Sequence, residues 1–332
     1  GLIMATYKEI KGTQIEVLAT DPTYPVEGQV WYNTTSNVVK GAATTTTGSW
    51  ASSPSVNTGK DQTSAAGTTT AALNFSGGPP VQDDTEKWNG TTWTSVNDMN
   101  SGRRATAGSG TQTAALCFGG ITSSNAVQLT EFYNGTNWAV ANTMNTARNF
   151  FKGAGISTAT LAFGGATGSG GNPPFTQNVE LYNGTNWAEQ SGDLNTARSN
   201  TAGGGTSTSA ICMGGYPATG KTETWNGSSF SEESDLNTAR FGMGGSASDK
   251  DNAVAFGGGP GSKSETETWN GTSWTETTNM PAARVYTGTT KGSYTAALAI
   301  SGNSGGPTGS TQTTVQEWVG PGTPQTRTFT DS

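Results

Sequence analysis

The sequence predicts an all-β fold in which one small antiparallel sheet is repeated around a closed ring. Three observations predict it. An octapeptide recurs five times, as Glu86–Trp93 (EKWNGTTW), Glu131–Trp138 (EFYNGTNW), Glu180–Trp187 (ELYNGTNW), Glu223–Phe230 (ETWNGSSF) and Glu267–Trp274 (ETWNGTSW). A glycine pair lies upstream of each copy: Gly77-Gly78, Gly119-Gly120, Gly164-Gly165, Gly214-Gly215 and Gly257-Gly258, with Ser301-Gly302 as a weaker sixth. A basic residue opens each unit, at Lys60, Arg103, Arg148, Arg198, Arg240 and Arg284, often closing an NTAR string as at Asn195 to Arg198. Self-similarity of this kind marks stacked supersecondary units. The 45 residues from Trp93 to Trp138 match a four-stranded propeller blade.

Each strand of the unit has its own signature. Short apolar runs that stop at glycines, such as Leu116-Cys117-Phe118 and Val254-Ala255-Phe256, read as buried strands. Asn-Gly between aromatic-bearing segments is a hairpin signal, because both residues tolerate positive φ. The aromatic before that turn and the Trp after it are expected to pack between neighbouring blades. Glu-to-aromatic spacing is constant at 7 residues, and the glycine-to-Glu step alone varies widely, from 8 to 15. The variation therefore falls in the loop between the second and third strands, where solvated backbone tolerates insertion. These loops lie near Gly78–Asp84, Ile121–Gln128, Ala166–Asn178, Tyr216–Lys221, Gly259–Ser264 and Asn303–Thr314.

Closure is expected from the chain's first third. The sixth unit has Arg284, Ser301-Gly302 and Gln316-Glu317-Trp318 but lacks the NG turn and final Trp, whereas Thr47-Gly48-Ser49-Trp50 matches the end of the octapeptide. A strand around Trp50 should complete the last blade, removing a free edge. The expected organisation is an arm with a β-hairpin over 1–44, six four-stranded antiparallel blades over 45–323, and a C-terminal tail over 324–332.

These residues resemble the kelch repeat, with its double glycine, an aromatic ahead of a Trp, and an Arg opening the innermost strand. The resemblance runs from about Trp50 to Gly320 and implies a kelch-like β-propeller. The Tyr-Asp common before the Trp in that family is Trp-Asn or Tyr-Asn here, which implies a tighter turn.

Composition narrows function. The chain of 332 residues has 48 glycines, 12% charged residues and a formal net charge of −7, so a basic nucleic-acid-binding stripe is not expected. No apolar run near 18 residues suggests a membrane span, and Gly1–Met4 is too short for a signal-peptide core. The two cysteines, Cys117 and Cys212, lie in different units and are expected to be buried small hydrophobes rather than a disulfide.

Histidine is absent, which removes Ser–His and Cys–His dyads and most zinc or copper sites. Copper-radical oxidases of the kelch-like class need His, so that activity does not carry over. The basic ring of Lys60, Arg103, Arg148, Arg198, Arg240 and Arg284 could serve an anion site at a channel mouth. Its regular recurrence instead favours a structural ring, tied to backbone carbonyls or to the recurrent Glu of a neighbouring blade. The NGT strings read as turns rather than glycosylation sites, and Asp249–Asn252 as a solvated turn rather than a calcium loop. No catalytic residue, metal or cofactor is expected, and the chain reads as a non-enzyme.

Pro25–Gly41 (PVEGQVWYNTTSNVVKG) resembles a module near the N-termini of bacteriophage tail-fibre and other virion appendage proteins. The resemblance implies a virion setting, assembly in the host cytoplasm, and attachment to other virion proteins through this arm, with Trp31 and Tyr32 as candidate contacts. The arm is expected to leave the propeller from the NG-turn face, so that the variable loops point away from the attachment. Pro79, Pro80, Pro173, Pro174, Phe175 and Tyr216 on those loops are then candidate ligand contacts, since prolines limit ordering entropy and aromatics offer stacking faces. The expected role is binding of a host-surface glycan or protein, or of a virion protein. The alternatives are a sialidase-like glycan hydrolase and a cellular kelch interaction module.

Overall fold

Each of the first five repeats folds into four consecutive antiparallel strands. The computed structural model describes residues 15–23, 25–44, 47–123, 125–305, 309–322 and 324–328. Residues 1–3, Tyr24, part of the Asn303–Thr314 loop and the end of the C-terminal tail lie outside the described residues. The chain divides into two compact units, one of Gly48–Gly320 and one of Gly1–Thr47 with Pro321–Ser332.

In the larger unit the described residues form six four-stranded antiparallel sheets. The first contains Ser64–Gly67, Ala72–Phe75, Thr85–Trp88 and Trp93–Val96, and the second runs from Ala107 to Ala141. The third spans Lys152 to Glu189, the fourth Ala202 to Glu232, and the fifth Gly244 to Thr277. The sixth joins Gly288–Thr289, Ala296–Ile300 and Val315–Val319 to Ser49–Ser53 from the chain's first third, with Trp50 directly opposite Trp318. Second strands such as Ala72–Phe75 are buried along their whole length, as strands covered on both faces must be. Fourth strands such as Trp138–Ala141 bury only their Trp. The first strands of successive sheets touch in order, and that of the sixth touches that of the first. This is a β-propeller.

Two rings of backbone hydrogen bonds tie the sheets together. Two residues after each basic residue, the chain turns left-handed, with φ between 51° and 60° at Gln62, Ala105, Phe150, Asn200, Gly242 and Tyr286. Their N–H groups donate in a closed cycle: Ala105 to Gln62, Phe150 to Ala105, Asn200 to Phe150, Gly242 to Asn200, Tyr286 to Gly242 and Gln62 to Tyr286, at 2.6–3.1 Å. A non-glycine residue in this conformation costs roughly 1–2 kcal/mol, which the shared hydrogen bonds offset. In the second ring, the N–H of Gly77, Gly120, Gly165, Gly215, Gly258 and Gly302 donates to the carbonyl of the next sheet's basic residue, with Gly302 to Lys60 closing the cycle.

The core lies between sheets. Trp138 packs against Phe75 of the preceding sheet at 5.0 Å, and Phe118 against Trp187 at 5.0 Å. The indole N–H must also find an acceptor. Trp138 donates to Thr85, Trp187 to Thr130, Trp274 to Thr222 and Trp50 to Thr266 of the neighbouring sheet, at 2.9–3.0 Å. Where the neighbour offers Val179 instead of Thr, the aromatic is Phe230, which has no N–H to satisfy. Where it offers Val315, Trp93 turns to the Pro54 carbonyl.

Three sequence expectations need correction. The NG turns are not two-residue hairpins: Trp88 pairs with Trp93, leaving four loop residues, and only Gly90 takes positive φ (91°). Asn89 instead accepts the Thr91 and Thr92 N–H groups through its side-chain oxygen, a local cap that stabilises the wider loop. The glycine pair of the first sheet is Ser76-Gly77 rather than Gly77-Gly78, since Ser76 (φ 61°) and Gly77 (φ 124°) have the geometry of Gly119-Gly120. Ser301-Gly302 (φ 59° and 100°) takes it too. The C-terminal segment is not a separate tail, because Pro324–Thr328 pairs with Val38–Thr44.

The smaller unit is a four-stranded sheet of Glu16–Leu18, Val30–Asn33, Val38–Thr44 and Pro324–Thr328. Its centre is Asp21. One carboxylate oxygen accepts from the Trp31 indole (3.0 Å) and the Asn33 amide (2.6 Å), and the other pairs with Lys40 at 2.7 Å. These bonds, Lys40's foremost, hold the Asp21 carboxyl at about 2.

Candidate ligand-binding face and axial channel

The residues of the basic ring are buried and bonded within their own sheets. Arg148, Arg198 and Arg240 are buried against Glu180, Glu223 and Glu267, and Arg103 lies 3.1 Å from Glu131. Each Glu belongs to the same sheet as its Arg, not to a neighbour, because it sits on the third strand beside the loop from which the Arg enters. The guanidinium also reaches backbone carbonyls, as Arg240 does to Gly257 (3.0 Å) and Glu265 (2.7 Å). The second carboxylate oxygen accepts the backbone N–H of Asn100, Asn145, Asn195 or Asn237 at 2.7 Å and the side-chain amide of the same residue at 2.8–3.0 Å, the latter explaining the Asn of the NTAR string. Lys60 differs: its amine meets Asp84 at 2.9 Å, while Glu86 accepts from Asn57 and Thr58. Among the described residues Arg284 has no carboxylate partner, because Gln316 occupies the register of the recurrent Glu. It donates to the Ser301 and Thr314 carbonyls, and burial lowers it to about 10.

The variable loops and the connections carrying the basic residues share one end of the propeller, where bridges such as Ser199 to Tyr216 and Phe241 to Gly259 interleave them. Of the candidate contacts there, Pro79, Pro80, Pro173, Pro174 and Tyr216 are exposed and Phe175 is half-buried. The fold brings Phe175 and Tyr216 together, with ring centroids 6.1 Å apart, and leaves Pro79 and Pro80 on a different loop. Three further aromatics, all half-buried, join them. Tyr216 meets Phe241 at 5.4 Å, and Phe150 meets Tyr286 at 5.7 Å across the ring of left-handed residues. Burial pushes the Tyr286 hydroxyl up to about 12, with the Asp61 carboxylate and Tyr216 adding to it. Phe150, Phe241 and Tyr286 were signalled only by their place one or two residues after the basic residue.

On the axis lie two small cavities. One, of about 50 Å³, is walled by first-strand residues such as Ser64, Gly108, Gly204 and Ser246. The other, of about 40 Å³, lies under the left-handed ring. Lys152 lines both, and burial lowers its amine to about 8. Neither cavity is lined by an acidic side chain. Among the described residues no group of His, Cys, Asp or Glu is arranged to hold a metal. Cys117 and Cys212 are buried and free, and burial pushes the Cys212 thiol up to about 11.

In the smaller unit, Trp31 is buried, so it cannot present the attachment surface expected of it. Tyr32 is half-buried and its hydroxyl reaches the Asn37 side chain at 3.3 Å.

The architecture thus defines a β-propeller with an aromatic-bearing loop end and a narrow, acid-free axis. No known family and no curated protein matches the chain. Among solved structures it resembles one described as "Structure of YjhT", of propeller-type fold, with a TM-score of 0.65 at 12% identity over 79% of this chain and 96% of that one. At that identity the likeness concerns the fold alone.

Proposed function

We propose that this chain is a bacteriophage virion component, a tail-fibre, appendage or decoration protein, in which a six-bladed, kelch-like propeller is a binding head. The smaller unit, through surfaces including Tyr32, attaches it to other virion proteins. The observation that carries the reading is the row Phe175–Tyr216–Phe241 at the variable-loop end, with centroid spacings of 6.1 and 5.4 Å. Aromatic faces half open to solvent on rigidly held loops are what a recognition surface offers, and they cost little conformational entropy on binding. The ligand is a host-surface glycan or protein, and no catalysis is required.

The test is binding of fluorescently labelled protein to whole host cells and to a glycan array, with Tyr216→Ala and Phe241→Ala beside the parent. Saturable binding weakened by at least roughly tenfold in either variant supports the head, since one anchor side chain commonly carries more than 1 kcal/mol. Binding that both variants leave intact moves the site elsewhere, and its absence from cells and array alike ends the reading. Mass spectrometry of purified virions tests the setting directly. The hydrolase alternative has one foothold: Asp61 is buried, its Oδ1 has no hydrogen-bond partner among the described residues, and burial raises its carboxyl. It lines neither axial cavity, which speaks against a catalytic role. Glycan turnover abolished by Asp61→Asn would reinstate the enzyme.

A further inference from the structure

The propeller axis carries a charge asymmetry that the repeat does not require. Four residues after the basic residue that opens each sheet stand Ser64, Ala107, Lys152, Ala202, Gly244 and Gly288; seven after it stand Gly67, Gly110, Gly155, Gly205, Ala247 and Lys291. All but two of these are Gly, Ala or Ser, and apart from Thr289 and Thr290 so are the other residues that line the larger axial cavity. The exceptions are both lysines. They come from the third and sixth sheets, which stand opposite one another in the six-membered ring of backbone bonds.

Both lysines line the larger cavity, and Lys152 lines the second as well. Among the described residues neither amine has a hydrogen-bond or ion-pair partner, and burial alone lowers both. The buried arginines Arg103, Arg148, Arg198 and Arg240 each face a glutamate, so two cations at the centre without a carboxylate are out of pattern. The chain as a whole carries a net charge of −7, yet its axis holds cationic side chains and no carboxylate. Both side chains are half-buried, and an amine in such a place without a counter-ion draws an anion to itself. The cavity of about 50 Å³ has room for roughly three or four waters. That suits one small anion and excludes a sugar or a nucleotide.

We propose that the axial channel binds one small inorganic anion, chloride or an oxyanion of phosphate size, held by the Lys152 amine with Lys291 contributing from the opposite side. The basic ring takes no part, since none of its residues lines either axial cavity. The site is independent of the loop face and of what that face recognises.

The test is thermal unfolding of the intact protein in a buffer of bulky organic anions, with chloride or phosphate substituted at constant ionic strength. A ligand bound only by the folded state stabilises it by RT ln(1 + L/Kd) at free ligand concentration L, so Tm is flat well below Kd and climbs logarithmically above it. A rise of this form with at least one of the two anions is expected, with apparent affinity at least about tenfold weaker in Lys152→Ala. That variant carries the residue the second and fourth sheets have at this position, Ala107 and Ala202, and is expected to fold. Lys291→Ala, matching Ala247 of the fifth sheet, should weaken binding less. No such rise with either anion overturns the proposal, as does a rise that Lys152→Ala leaves unchanged. Should Lys152→Ala fail to fold, Lys291→Ala decides, unchanged affinity again overturning the site.

Discussion

At the scale of single residues, two carboxylates show how much of this chain is settled by one polar contact. Glu223 is buried, pairs with Arg198 and accepts the Asn195 N–H. Removing it would leave a buried guanidinium without a counter-charge. Glu223→Ala should therefore lower unfolding free energy by about 3–5 kcal/mol, while replacing both partners by apolar residues of similar volume should cost much less. Denaturant midpoints of the two variants measure the difference, and equal losses would contradict the argument. Asp21 works through pH. Its folded value of about 2 lies below the ordinary 3.8, so its contribution is present above 3.8 and is lost as pH falls through about 2. Exchange of the Trp31 indole proton, followed by NMR, should accelerate across that window in the parent and be fast at all pH values in Asp21→Asn. A flat profile in the parent would show that the Lys40, Asn33 and Trp31 contacts do not govern the segment.

At the scale of elements, the residue before each recurrent Glu chooses the aromatic of the next sheet. Thr85, Thr130, Thr222 and Thr266 each accept an indole N–H, and Val179 faces Phe230. Val179→Thr alone buries a hydroxyl without its donor, and Phe230→Trp alone buries an N–H without its acceptor. The double variant restores the pair, so the two changes should couple favourably by about 1 kcal/mol in a double-mutant cycle. Additivity would mean that packing alone selects these aromatics. This pairing was half legible in the sequence, since the Trp positions were plain but the acceptor was not. The turn after each Glu was misread for a similar reason. Asn-Gly signals positive φ, but whether Asn spends its side chain on capping is decided by the two following N–H groups, Thr91 and Thr92 in the first sheet. The left-handed ring escaped notice because Gln62, Ala105, Phe150, Asn200, Gly242 and Tyr286 share no side-chain chemistry; only their backbones do the same thing. Lys152 and Lys291 were visible only as departures from small residues, column by column along the repeat.

At the scale of the molecule, the ring depends on a strand from its own beginning. Ser49–Ser53 closes the sixth sheet, as the match of Gly48-Ser49-Trp50 to the octapeptide implied. Trp50 stands edge-on to Phe256 at 4.9 Å, packs on Trp318 at 5.4 Å and donates to Thr266, so it belongs at once to the sixth sheet and to the interface with the fifth. A ring held by nearest-neighbour interfaces loses support on both sides of any sheet that opens. Trp50→Ala should cost about 3 kcal/mol, the low end for Trp truncation because the ring is only half-buried. Val140→Ala, at a side chain 72% exposed on the outer strand of the second sheet, should stay within about 0.5 kcal/mol. The distribution of the loss is the sharper readout. Native-state hydrogen exchange in Trp50→Ala should rise first in Val315–Val319 and Ala296–Ile300, then in the fifth and first sheets, and least in the third, which lies opposite. Exchange rising equally in all sheets would mean that the propeller opens only as a whole; exchange confined to Val315–Val319 would mean that the two backbone rings hold it closed without the N-terminal strand.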